Sequence, residues 1–337
     1  MTNGTFSLLG LSLLLFTAAL TCYVEKAEAS EDYFRNKKMT MIVATNPGGS
    51  YDQYGILLAK ALEQKLGANV SVEYVTGAGM INGANKIYRA EPDGLTVGIF
   101  NIGLIVAQLR GEQGIQFDLK NFTWLANAAA MPRFLAVRTA LPYKTIEDVK
   151  KAKETIKIPT SGAGSSAYND VLMIKRILGV NLEPIPGYGG AETAKAIKSG
   201  VVDGQMGSAS SMTASFQNGA LRPLLIIAEK RDPAYPDVPT LAEIASKDMQ
   251  ALVKLMVAMS EIARPFVAPP GMPEAIRIPL QRAFAEAFSD SVFKDMAKKE
   301  KLPFQYHNPA QVQKMVTDAL IQPPDVISFL KTMTIAE

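Results

Sequence analysis

The chain has 337 residues, 48% hydrophobic and 20% charged, enough to bury a core and, at roughly 100–200 residues per domain, to make about two domains. Its 35 Lys and Arg against 32 Asp and Glu leave a net charge of +3, too balanced for a nucleic-acid surface, which needs basic residues clustered on one face. One His and one Cys exclude most zinc sites, Cys/His nucleophile pairs, disulfides and iron–sulfur clusters, because each needs several such side chains. No metal and no cofactor is expected, and no nucleic-acid partner.

Residues 6–22 form an uncharged apolar run, and Ala27-Glu28-Ala29 has the small-x-small form that signal peptidase accepts. Residues 1–29 are therefore expected to be a signal peptide cleaved before Ser30, which places the mature protein outside the cytoplasm. The opening MTNGT departs from the usual pattern by carrying no Lys or Arg. Two alternatives compete: an uncleaved anchor, since the run is at the short edge of a span, and a lipoprotein acylated on Cys22, where the preceding Thr21 is a poor fit.

From Lys38 onward a β-prone apolar run, a glycine-rich turn and a helical run recur. Residues 40–45 are followed by a helix near 51–66, whose Tyr54, Leu57, Leu58, Ala61 and Leu62 share one face. Strands at 69–75 and 95–101 flank a helix near 80–90. A second set begins after Trp124, with strands at 134–138, 155–159, 181–186, 201–207 and 222–229, and helices at 145–154, 168–178 and 191–199. Strand–helix alternation through short loops predicts two α/β, Rossmann-like domains of similar plan, each with a largely parallel sheet. Thr240-Leu241-Ala242-Glu243 reads as a capping box opening a helix. The tail from Pro273 is helical, with Ile276, Leu280, Ala283, Phe284 and Phe288 on one face, and is expected to return to the first domain. The expected division is therefore 30–127 plus 246–337 for domain 1 and 128–245 for domain 2.

Four loops follow strands and precede helices: Pro47-Gly48-Gly49-Ser50, Gly77-Ala78-Gly79, Ser161-Gly162-Ala163-Gly164-Ser165-Ser166 and Gly187-Tyr188-Gly189-Gly190. Such loops present free amides at the positive end of a helix and can cradle an anion, although glycine also serves the turn alone. In open α/β sheets ligands sit beyond the carboxyl ends of the strands, where all four loops lie, so a cleft between the domains is expected. Ser50 with Gln53 reads equally as a capping box or a ligand contact, and Asp52, in the first turn, as mainly structural. Hydroxyls at Ser161, Ser165 and Ser166 suit a carboxylate. Gly162 to Ala167 also fits the dinucleotide fingerprint GxGxxA with Glu183 about 20 residues on, which keeps a nucleotide-binding enzyme open as an alternative. His307 stands in no motif and is expected at a surface or between domains. Leu252, Leu255, Met256 and Met259 recur at helical spacing and read as core.

The strings TMIVATNPGGSYD, VEYVTGAGMINGANKIYRAEPDGLTVGIF, TSGAGSSAYN, GYGGAETAKAIKSGVVDGQMG, KRDPAYPDVPTLAE and FVAPPGMPEAI, in this order, resemble the solute-binding proteins of the tripartite tricarboxylate transporters, the Bug or TctC type. The resemblance covers roughly residues 38–310. It implies a non-enzymatic periplasmic Venus flytrap of two α/β domains, monomeric, with a ligand cleft between them, that captures a small carboxylate and delivers it to membrane permease subunits; a sensor feeding a membrane receptor is a further alternative. Carried over by motif, the ligand-binding residues it implies are Pro47, Gly48, Gly49, Ser50, Asp52, Gly77, Ala78, Gly79, Ser161, Gly162, Gly164, Ser165, Tyr188, Gly189 and Asp203, to which the hydroxyl reading adds Ser166. Departures from the family pattern fall around the ligand. Val75-Thr76 precedes the second loop, Met80 stands where a further Gly is common, Tyr168-Asn169 replaces a His-Leu type pair, and Gly189 replaces a Lys. With no Arg in any of the four loops, recognition by charge is expected to be modest.

Overall fold

In strand β1 (Lys38–Val43) successive side chains alternate between two apolar layers. Met39, Met41 and Val43 enter one core and Ile42 the other, so this strand is buried on both faces, as a central parallel strand must be. The structure, a computed structural model, describes residues 33–162, 165–188, 190–300 and 302–333. The expected signal segment with Cys22, and Ala163, Gly164 and Gly189, lie outside the described residues.

The first lobe is a five-stranded sheet in the order β2-β1-β3-β10-β4, with β2 at Asn69–Tyr74, β3 at Thr96–Ile99, β4 at Thr123–Asn127 and β10 at Pro265–Ala268. β1 pairs in parallel with β2 and β3, whereas β10 returns late in the chain and lies antiparallel between β3 and β4. Helix α1 (Ser50–Leu66) covers one face, together with α10 (Glu274–Ser289), whose Leu280, Phe284 and Phe288 are buried. Helices α2 (Ile81–Tyr88) and α3 (Leu104–Arg110) pack in the other core. The returning tail thus packs where its apolar face requires.

The second lobe, like the first, carries one antiparallel strand in its sheet. Strand β5 (Arg133–Arg138) runs antiparallel to both β8 (Gly204–Ser208) and β9 (Leu221–Ile227), and β6 (Ile156–Pro159) pairs in parallel with β7 (Leu182–Ile185). The two pieces join at Asp203. Its amide donates to the Lys157 carbonyl at 2.9 Å, and its carboxylate accepts from the Lys157 amide at 2.8 Å. The resulting order β7-β6-β8-β5-β9 repeats that of the first lobe, the antiparallel strand in each being the one the chain enters on crossing over. Alternating apolar runs give strand positions but not direction, and the crossing strand carries no mark that sets it apart.

Between β5 and β9 come α4 (Ile146–Lys151), α5 (Ser166–Leu178), α6 (Gly190–Ser199) and α7 (Ala209–Gln217). Two segments link the lobes side by side. The amide of Ala128 donates to the Arg264 carbonyl (3.0 Å), that of Ala263 to Ala129 (3.0 Å), and that of Met131 to Ser260 (2.8 Å). Helix α9 (Gln250–Glu261), after the single-turn α8 (Leu241–Ile244), leads into this ribbon. Leu252, Leu255 and Met256 are core as expected. Thr240 caps α8, but Glu243 pairs with Arg231 instead of closing the box.

Candidate functional site

Between the lobes lies a cavity of about 140 Å³, roughly ten times the space one water centre requires. The first lobe contributes Tyr51 from the first turn of α1 and Asn101 to Gly103 from the loop after β3. The second contributes Ser166, Asn169, Asp170 and Met173 from one face of α5. The linking ribbon and its flanks supply Met131, Arg133, Met259 and Arg264. The loop after β3 and the helices after β1 and β6 thus bring the lining to the carboxyl ends of their strands, with the first turns of both helices, at Tyr51 and Ser166, among it.

Arg264 is the dominant charge. Its side chain is 9% exposed, and its guanidinium donates to the Ser50 hydroxyl and to the Ala263 carbonyl, both at 2.6 Å. It lies 4.1 Å from the centre of the Tyr51 ring and 5.6 Å from that of Tyr54. Its Nε is buried without a hydrogen-bond partner, and among the described residues no carboxylate pairs with it. Burial pushes the Tyr51 phenol up and that of Tyr54 up to about 12, while the Arg264 charge pulls both back. A guanidinium held in a cavity without a counter-ion is an anion site.

The second cation, Arg133, is already committed: its Nε donates to the Asp170 carboxylate, which is buried. Burial raises the Asp170 carboxyl and Arg133 pulls it down. The lining therefore carries two guanidinium groups and one carboxylate, a net charge of one positive unit.

Of the residues expected from sequence, Ser166 lines the cavity and Ser50 touches Arg264. Ser50 does not cap its helix. The N-cap is Gly49, with no side-chain bond, which corrects the capping-box expectation. Asp52 is buried and braces the first loop, accepting from the Gly48 amide at 2.7 Å and the Tyr74 hydroxyl at 2.6 Å, so Pro47, Gly48 and Gly49 curl around it. In the second loop Gly77, Ala78, Gly79 and Met80 all have positive φ, at 108, 47, 60 and 80°. At Ala78 and Met80 this conformation is strained, and glycine would relieve it. The Met80 sulfur accepts from the Asn101 amide at 3.1 Å, so this loop supports the lining from behind. Ser165 caps α5, accepting from the Tyr168 amide; Ser161 is exposed and Gly162 half-buried at the loop's start. Tyr188 packs into the second-lobe core and Asp203 serves the sheet joint, away from the cavity. Glu183 is exposed on β7 and does not line it. His307 is buried beside Asn127 and Glu261, at the junction of the lobes and not at a surface.

Tyr51, Asn101, Arg133, Asp170 and Arg264 were not anticipated, and Met259, expected in the core, is half-buried and lines the cavity. Arg264 is a lone charge inside the apolar run Ile262–Ala268, and Asp170 falls in the buried register of α5 with Val171, Met173 and Ile174. A charge at a core position was the available signal.

Two α/β lobes joined by a paired ribbon, with an anion-seeking cleft between them, define a binding protein of the periplasmic Venus-flytrap class. Residues 56–331 match the family described as "Tripartite tricarboxylate transporter family receptor", and the chain belongs to that family. It is 27% identical over 287 residues to a UPF0065 protein of Bordetella pertussis, covering 84% of this chain and 86% of that one. Among solved structures it is similar to a TctC solute-binding protein from Polaromonas (TM-score 0.72, 22% identity, 88% of this chain and 97% of that one). It is also similar to MatC from Rhodopseudomonas palustris with bound malate (TM-score 0.56, 23% identity, 88% and 98%).

Proposed function

We propose that this protein is the periplasmic receptor of a tripartite tricarboxylate-type transporter, taking a small carboxylate-bearing solute into the cleft and delivering it to the membrane permease subunits. The observation that carries this reading is Arg264, buried at the cleft with no counter-ion among the described residues and with Nε unpartnered. A ligand carboxylate supplies both the missing charge and the missing acceptor. Family membership and the malate bound by MatC favour the same chemistry.

The working parts are two domains, 30–127 with 246–337 and 128–245, that close about the ribbon of residues 128–131 and 260–264. A ligand held by Arg264, the first turn of α1 and the first turn of α5 gains contacts from both lobes only when they approach, so binding shifts the population toward the closed form. The closed face then docks on the permease as a monomer. Residues 1–29 act as the export signal and are removed before Ser30. The cleft needs no cofactor and performs no chemistry on its ligand.

The test is thermal unfolding of the chain across a panel of carboxylates, with NAD and NADP as controls. A bound ligand at ~100 times its dissociation constant adds about 2.7 kcal/mol, a midpoint shift of a few degrees. A shift with a carboxylate supports the reading, and a shift with a dinucleotide alone overturns it.

A further inference from the structure

We infer that the cleft selects solutes with a single carboxylate and an uncharged polar far end, and rejects dicarboxylates, with Arg264 as the anchor and Asp170, held by Arg133, as the excluding group. This rests on the reading of the cleft as a carboxylate site and adds which carboxylates enter it.

The charge count of the lining sets the limit. Arg133 and Asp170 neutralise each other, which leaves the single positive charge of Arg264 for a ligand to match. One carboxylate satisfies it. A second would have to approach Arg133, whose guanidinium is already bound to the buried Asp170 carboxylate, and would meet that carboxylate with it. Like charges in a poorly solvated site disfavour one another strongly, so that contact opposes binding.

The rest of the lining describes the remainder of the ligand. Ile102, Val106, Met131, Met173 and Met259 make the apolar part of the lining, three of them methionines that adapt to irregular shapes. On α5, Ser166, Asn169, Asp170 and Met173 stand at i, i+3, i+4 and i+7, one face of the helix. Where it reaches α5 the ligand therefore meets a hydroxyl and an amide beside a carboxylate. These groups suit a hydroxyl, carbonyl or amide on the solute.

Calorimetric titration of the chain with length-matched pairs, 4-hydroxybutyrate against succinate and 6-hydroxyhexanoate against adipate, tests this. The expected result is that in at least one pair the hydroxy acid binds ~10-fold or more tightly than its diacid, and that Asp170→Asn closes the gap by strengthening the diacid. A wild-type protein that binds the diacids as tightly as their partners overturns the selectivity while leaving carboxylate capture intact. A gap that survives Asp170→Asn in a folded variant overturns the role of Asp170, and if that variant does not fold the wild-type ratio decides. Absence of binding to all four acids removes the underlying reading, and the inference with it.

Discussion

The carboxamide of Asn127 holds the backbone of Arg264: its Oδ1 accepts from the Arg264 amide at 2.9 Å. Its Nδ2 donates to the carbonyls of Ala129 and Glu261, each at 2.9 Å, and lies 3.0 Å from His307 Nδ1. One fully buried side chain thus ties together the end of β4, the end of α9 and the start of β10, where the lobes join. Asn127→Ala strands these groups without partners and should cost about 2–4 kcal/mol, read from denaturant unfolding. Because the same bond fixes where the Arg264 side chain starts, carboxylate affinity should fall as well. A variant of unchanged stability would contradict the assignment.

Asp52 and Tyr74 make a spectroscopic prediction. The Asp52 carboxylate accepts the phenolic proton of Tyr74, and this hydrogen bond holds the phenol above its ordinary pKa of 10.0. Asp52→Asn removes the charge and should return Tyr74 toward that value in an ultraviolet titration. It should also loosen the first loop, since the Gly48 amide loses its charged acceptor. An unmoved Tyr74 titration would place the carboxylate elsewhere.

Gly83, within α2, separates two expectations of opposite sign. Helix propensity alone favours alanine by about 1 kcal/mol. A Cβ there, however, would sit 2.9 Å from both the Ala44 Cα and the Val75 carbonyl oxygen, backbone atoms that cannot step aside. Gly83→Ala should therefore destabilise, by about 1–3 kcal/mol, and a rise in the unfolding midpoint would show that α2 does not pack this closely on β1.

Acid stability should carry a contribution from the cap of α4. Thr145 and Asp148 form a reciprocal capping box, with the Asp148 carboxylate accepting from the amides of Lys144 and Thr145 at 2.8 Å. These bonds hold the Asp148 carboxyl below its ordinary 3.8. The unfolded chain then binds the proton first, so the stability from this group is fully present above the ordinary value and is lost as pH falls through the depressed one. Asp148→Asn should flatten the acid limb of the stability curve. A limb of unchanged slope would count against the box.

Most of the secondary structure was legible because each element buries a face its sequence repeats, as with Leu280, Ala283, Phe284 and Phe288 on α10. Strand direction in the second lobe was not, since β5 reads the same whichever way its neighbours run. At the site the glycine loops marked the carboxyl ends of the strands, and Ser166 followed from them. Arg264, Arg133 and Asp170 lie outside those loops and meet only through the fold, 264 being 131 positions from 133 in a chain that crosses between lobes. Met80 was visible as a departure from the family pattern, and its φ of 80° gives the reason glycine is common there.

The measurement that bears most directly on the account is the carboxylate-dependent unfolding midpoint of the wild-type chain beside Arg264→Gln. The variant keeps hydrogen-bonding capacity toward Ser50 but loses the uncompensated charge. Affinity should fall about 10–100-fold, the worth of one charge-assisted hydrogen bond, so a carboxylate at ~100 times its wild-type dissociation constant should shift the variant's midpoint by about half as much as the wild type's or less. Equal shifts in the two proteins would mean that the ligand is held elsewhere and that Arg264 is not its anchor.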